Sequence, residues 1–148
     1  MKKNVHVVPH SHWDREWYFT TSRSKVYLMK DLKDVLDTLE ADPRFRHFVL
    51  DGQASLLEDY LNWRPQDNSR IKQLVEAGKL VIGPWYTQTD QLVISGESIV
   101  RNLLYGTSLC ARFGNYMNTG YVPDYFGQAA SMPQIYHEFG IEDTLFWR

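Results

Sequence analysis

Apolar residues along the chain fall into two patterns. Five short runs, at 5–9, 48–50, 80–83, 120–122 and 144–147, are too short for helices and partly β-branched or aromatic, so they predict buried strands. Their nearly continuous apolar character suits a parallel sheet covered on both faces. Between them the spacing turns helical. Residues 24–39 place Val26, Met29, Leu32, Val35, Leu36 and Leu39 at three- and four-residue steps, and 97–113 does the same with Ile99, Val100, Leu103, Leu104 and Leu109. Two shorter helices are predicted at 55–63 and 69–77, split by Pro65 and closed by Gly78, and a last one at 132–139, opened by Ser131 and Pro133 and closed by Gly140. The order β-α-β-αα-β-α-β-α-β predicts an α/β fold with parallel strands and right-handed crossovers. The final run stops inside or directly after a strand that needs cover, so the chain is expected to be a fragment of a longer domain.

Composition narrows the class. The chain has 148 residues with a net charge of -2, enough for one domain with a real core and without a basic footprint for nucleic acid. No stretch approaches the ~20 apolar residues of a membrane span, and His6, His10 and His12 interrupt any signal-peptide core near the N-terminus. Cys110 is the only cysteine, which removes any intramolecular disulfide and favours a cytoplasmic location. Five Trp and nine Tyr suit sugar stacking, but they suit cores and interfaces equally.

The chemistry gathers at predicted strand ends, where α/β folds form their sites. Pro9-His10-Ser11-His12-Trp13-Asp14-Arg15-Glu16-Trp17 follows the first run. Extended geometry would turn His10, His12 and Asp14 to one side. Imidazoles and a carboxylate there suit Zn²⁺, and also Mn²⁺, Fe²⁺ or Co²⁺. Asp124, in Asp124-Tyr125-Phe126-Gly127 after the fourth run, should reach the same mouth as a ligand, a nucleophile or both; a turn-stabilising Asp is the plain alternative. Trp85, Tyr86 and Asp90 after the third run would line the rim or simply pack under a loop. Asp51 and Gln53 after the second would bond a sugar or stabilise the turn.

These motifs, in this order, resemble glycoside hydrolase family 38: Pro-His-Ser-His-x-Asp-x-x-Trp, then Gly-x-Trp with a following Asp, then Asp-x-Phe-Gly. The resemblance covers essentially all of residues 1–148, and Trp13 with the Asp-Arg-Glu-Trp continuation is similar to the bacterial branch. It implies the first strands and helices of a seven-stranded parallel β/α barrel, that is, the N-terminal part of an α-mannosidase catalytic domain. It implies hydrolysis of terminal α-mannosidic bonds in α-mannosides or mannosylated oligosaccharides, by a retaining, Zn²⁺-dependent mechanism. His12 and Asp14 would be zinc ligands, Asp124 both ligand and nucleophile, Trp17 and Phe126 substrate contacts, and Arg148 a pocket arginine. His10 would be a supporting partner of the site. A fourth ligand His and the acid/base Asp come later in the family, so the fragment alone is expected to be inactive and to hold zinc less tightly. An uncovered sheet edge would also promote association between copies. Two rival readings remain: a metal-dependent carbohydrate deacetylase, disfavoured because no downstream H-x₃₋₅-H pair is present, and a non-catalytic sugar-binding module.

Overall fold

The computed structural model describes residues 2–147. Helix α1 (Thr21–Ala41) starts after Thr20, whose extended backbone and side-chain oxygen cap the amide of Arg23. It begins three residues before the predicted start because its first turn, Thr21-Ser22-Arg23, carries no apolar signal. Helix α2 (Ser55–Trp63) has the bounds its periodicity predicts. A 3₁₀ turn at Pro65–Asp67 leads into α3 (Asn68–Glu76). Ser95 caps α4 (Gly96–Ala111) by accepting from the amide of Ser98. Helix α5 (Met132–Glu138) has Pro133 in its first turn, where a missing amide hydrogen costs nothing.

The strands are short and parallel. β1 (Phe48–Val49) pairs with β2 (Leu80–Val81) in the register Phe48↔Leu80, and β3 (Thr119–Val122) pairs with β4 (Asp143–Phe146) in the register Thr119↔Asp143. His10 makes a single parallel bridge to Val49, with the Val49 amide donating to the Pro9 carbonyl and the Ser11 amide to the Val49 carbonyl. Strand–helix alternation and parallel pairing therefore match the predicted α/β class. The strands form two separate two-stranded sheets, which makes a mixed helix–strand domain and does not by itself establish a barrel arc. The sheets are joined by the Met117 amide on the Ile82 carbonyl and by Trp85 Nε1 on the Tyr121 carbonyl.

Two sequence expectations fail on burial. Residues 5–8 are not a buried strand: Val5, Val7 and Val8 are exposed and only the chain around His10 joins β1. The last run does form β4, but all four of its residues are exposed, as is Trp147. An apolar run reports a demand for cover. It does not report that the cover lies within the same stretch of chain.

The core lies in two parts. Leu28, Leu32, Leu36 and Leu39 of α1 pack with Leu57, Tyr60, Ile71, Leu80 and Phe113. Trp85, Ile99, Leu103, Val122, Tyr125 and Tyr136 form the second. Helix α4 lies directly on the backbone after β2. A Cβ on Gly106 would stand 2.3 Å from the Pro84 carbonyl oxygen and the Tyr86 nitrogen, so only glycine allows this approach. Asn102, one turn earlier, accepts from the amides of Tyr86 and Thr87 and donates to the Thr87 carbonyl. This clamp fixes the loop that carries Gln88, Thr89 and Asp90.

Candidate functional site

Four segments that follow parallel-paired backbone meet at one end of the domain: 11–19, 51–53, 83–91 and 123–129. Each is held by polar side chains of another. Gln53 donates to the Trp13 carbonyl and accepts from the Gln88 amide and the Thr87 hydroxyl. The Thr89 amide donates to the Tyr125 hydroxyl, and buried Gln91 accepts from the Ala129 amide. Arg15 reaches back to buried Asp59 on α2, which Lys25 also meets.

Within this frame His12 Nε2 stands 3.7 Å from Asp14 Oδ1 and 3.6 Å from Asp124 Oδ2. All three side chains are roughly one-third to one-half exposed, so solutes reach them. His12 Nδ1 faces the other way, 3.1 Å from Oδ1 of Asp51. Asp51 is fully buried, and burial pushes its carboxyl up from the ordinary carboxylate range, partly offset by donors from Gln53, His12 and Trp13. A cleft of about 140 Å³ opens beside the trio, lined by Trp17, Gln88, Thr89, Asp90, Tyr125 and Phe126 as well. A larger one of about 420 Å³ adjoins it, sharing His12, Asp14 and Trp17 and walled by Trp13, Tyr18, Phe19 and Tyr27. Trp17 and Phe126 are well exposed at the rim.

The residues singled out by sequence thus separate. His12, Asp14 and Asp124 converge, and Trp17 and Phe126 border the same cleft. His10 does not join them: it is exposed and its Nδ1 contacts the neighbouring Ser11 carbonyl. A single bridge at His10 ends the extended stretch, so the alternation that would aim it with His12 does not apply. Trp85 is wholly buried in the second core and Tyr86 donates to Glu58, whereas Asp90 lines the cleft. Arg148 lies outside the described residues. Asp51 carries more of the site than its sequence position suggested. The available signal was an Asp-Gly pair after a strand, and both residues take positive φ, 45° and 68°.

By residue type, one imidazole and two carboxylates suit a borderline divalent ion. Imidazole nitrogen and carboxylate oxygens bind zinc at ~2.0–2.2 Å, which places two corners of a tetrahedron ~3.4 Å apart. The separations of 3.6 and 3.7 Å are close to that spacing. As the side chains stand, no group of three or more His, Cys, Asp or Glu among the described residues is placed to hold a metal ion. Burial pushes the Cys110 thiol up to about 12, which keeps it in the unreactive thiol form at neutral pH.

Residues 2–148 match the model of the glycosyl hydrolases family 38 N-terminal domain. The chain is 44% identical over its whole length to the "Putative mannosylglycerate hydrolase" of Halalkalibacterium halodurans and 30% identical over 95% of its length to human alpha-mannosidase 2C1. It superposes on an alpha-mannosidase from Enterococcus faecalis with a TM-score of 0.91 and 42% identity, over 94% of this chain. The chain therefore belongs to glycoside hydrolase family 38. It spans about a sixth of these proteins: 17%, 14% and 16% of their lengths.

Proposed function

We propose that the chain is the N-terminal part of an α-mannosidase catalytic domain, the first strands and helices of a β/α barrel, and that the whole enzyme hydrolyses terminal α-mannosidic bonds with retention. The observation that carries this reading is the convergence of His12 Nε2 on Asp14 and Asp124 at the mouth of a cleft rimmed by Trp17 and Phe126. His12, Asp14 and Asp124 would hold Zn²⁺. Zinc bound there would polarise sugar hydroxyls and favour the ionised carboxylates around it.

The chain's own residues would act as follows. Trp17 offers an exposed ring face for the C–H patch of a mannose. Asp124 attacks the anomeric carbon as the glycosidic bond breaks. A second carboxylic acid, ~5–5.5 Å away in retaining enzymes, protonates the leaving oxygen and then takes a proton from water. That acid and a fourth ligand histidine are assigned by the family resemblance to later sequence, so residues 1–148 alone are expected to turn over little. Substrates are α-mannosides or mannosylated oligosaccharides. No helix among the described residues is long and apolar enough to cross a membrane, and the single, buried cysteine suits a reducing cytoplasm.

Incubation of the enzyme with a fluorinated mannosyl fluoride tests the reaction class. The reading expects a covalent mannosyl adduct on the peptide containing Asp124, lost in Asp124→Ala. An active enzyme that inverts the anomeric centre and forms no adduct refutes it.

A further inference from the structure

We infer that Asp51 is the positioning residue of this site: its carboxylate holds His12 as the Nδ1–H tautomer and so turns a bare Nε2 toward the space between Asp14 and Asp124. The hydrogen-bond inventory around Asp51 leads there. Oδ2 accepts from the Trp13 amide at 2.8 Å and from Gln53 Nε2 at 2.5 Å. Oδ1 faces His12 Nδ1 at 3.1 Å and Gln88 Nε2 at 3.3 Å. Every partner except His12 can only donate, and with donors on both oxygens the Asp51 carboxyl serves here as the acceptor of these contacts. The His12 ring must therefore supply a proton at Nδ1, which in the neutral ring leaves Nε2 bare.

The Gln53 amide cannot turn over to relax this demand. Its oxygen already accepts from the Thr87 hydroxyl and the Gln88 amide. Its orientation is fixed by the loop after β2, which Asn102 clamps in turn. The chain from α4 to His12 is thus continuous: Asn102 holds 86–87, that loop holds Gln53, and Gln53 and Trp13 hold Asp51. Backbone geometry agrees, since φ of 45° at Asp51 is a left-handed conformation that Asp and Asn accept more readily than most residues.

Asp51→Asn makes a specific test, because asparagine keeps the shape and tolerates the same φ. The Trp13 amide and Gln53 Nε2 require an oxygen at the Oδ2 position, so the new NH₂ group must face His12. Nδ1 then has to accept, and the proton moves to Nε2, where a ligand lone pair is needed. A purely turn-stabilising role for Asp51 would lower stability without moving the proton.

The readout is ¹⁵N NMR of the histidine ring in metal-free protein, with the ring neutral and His12 assigned by His12→Gln. The inference expects the Nδ1–H tautomer in the wild type and the Nε2–H tautomer in Asp51→Asn. It also expects zinc affinity to fall by about 10–100-fold in the variant, the range typical for lost partners of metal ligands. A wild-type ring protonated on Nε2 overturns the inference without recourse to any variant, and so does an unchanged tautomer in Asp51→Asn. The link to zinc rests on the reading proposed above. If the tautomer exchanges as expected but neither protein binds zinc, Asp51 stands as the positioning residue and the zinc reading falls.

Discussion

Arg15 closes on Asp59, with Nη2 2.6 Å from Oδ2, and so ties the loop bearing Asp14 and Trp17 to helix α2. Asp59 is almost wholly buried and also receives Lys25 Nζ at 2.9 Å, whereas Arg15 keeps about two-fifths of its side chain in solvent. Removing the carboxylate leaves two cations facing each other across a half-dry gap. Asp59→Ala should lower stability by about 1–3 kcal/mol in urea denaturation, with the loss shrinking in Arg15→Ala/Asp59→Ala. A double-variant loss equal to the sum of the two single losses would show that the pair is not coupled.

Trp17 makes the opposite case. Its ring is 65% exposed and contributes little to the core. Trp17→Ala should change stability by no more than ~0.5 kcal/mol while raising KM for an aryl α-mannoside in the whole enzyme. Unchanged KM would remove Trp17 from the substrate site.

Gly106→Ala should be among the most damaging substitutions of a small residue. The added methyl would meet backbone atoms of residues 84–86 at 2.3 Å, and backbone cannot rotate away as a side chain can. A cost of about 3 kcal/mol or more is expected, read as a lowered denaturation midpoint.

Acid stability should depend on Asp67. Burial would raise its carboxyl, but the Arg64 guanidinium and the Tyr60 hydroxyl, each 2.7 Å away, outweigh that and hold it below the ordinary value of 3.8. A depressed folded-state pKa stabilises fully above the unfolded value and is lost as pH falls through the folded one. Asp67→Asn should therefore cost about 1–2 kcal/mol at pH 7, with the gap to wild type closing below about pH 4. A gap that persists unchanged at pH 2 would contradict this.

Much of the frame was legible in the sequence because helical periodicity is local. Leu28, Leu32, Leu36 and Leu39 form the buried stripe of α1, and Ser55–Trp63 is bounded as its pattern predicts. The trio His12, Asp14 and Asp124 was legible because all three follow apolar runs and parallel connections bring such ends together. What the pattern could not give was set by distant partners. Asp51 matters through Trp13, Gln53 and Gln88, which lie up to 38 positions away. Trp85 suited the rim or packing under a loop equally, and its burial with the indole N–H on the Tyr121 carbonyl places it in the core. His10 looked equivalent to His12 until the extended stretch proved to be one bridge long.

On the reading proposed above, His12, Asp14 and Asp124 surround one ion. Zinc content and affinity, measured by metal analysis and calorimetry on the wild type and on His12→Ala, Asp14→Ala and Asp124→Ala, test it most directly. One zinc per chain in the wild type, with affinity reduced by an order of magnitude or more in each variant, is the predicted result. A folded wild type that binds no zinc, or zinc retained at full affinity in any of the three, would contradict it.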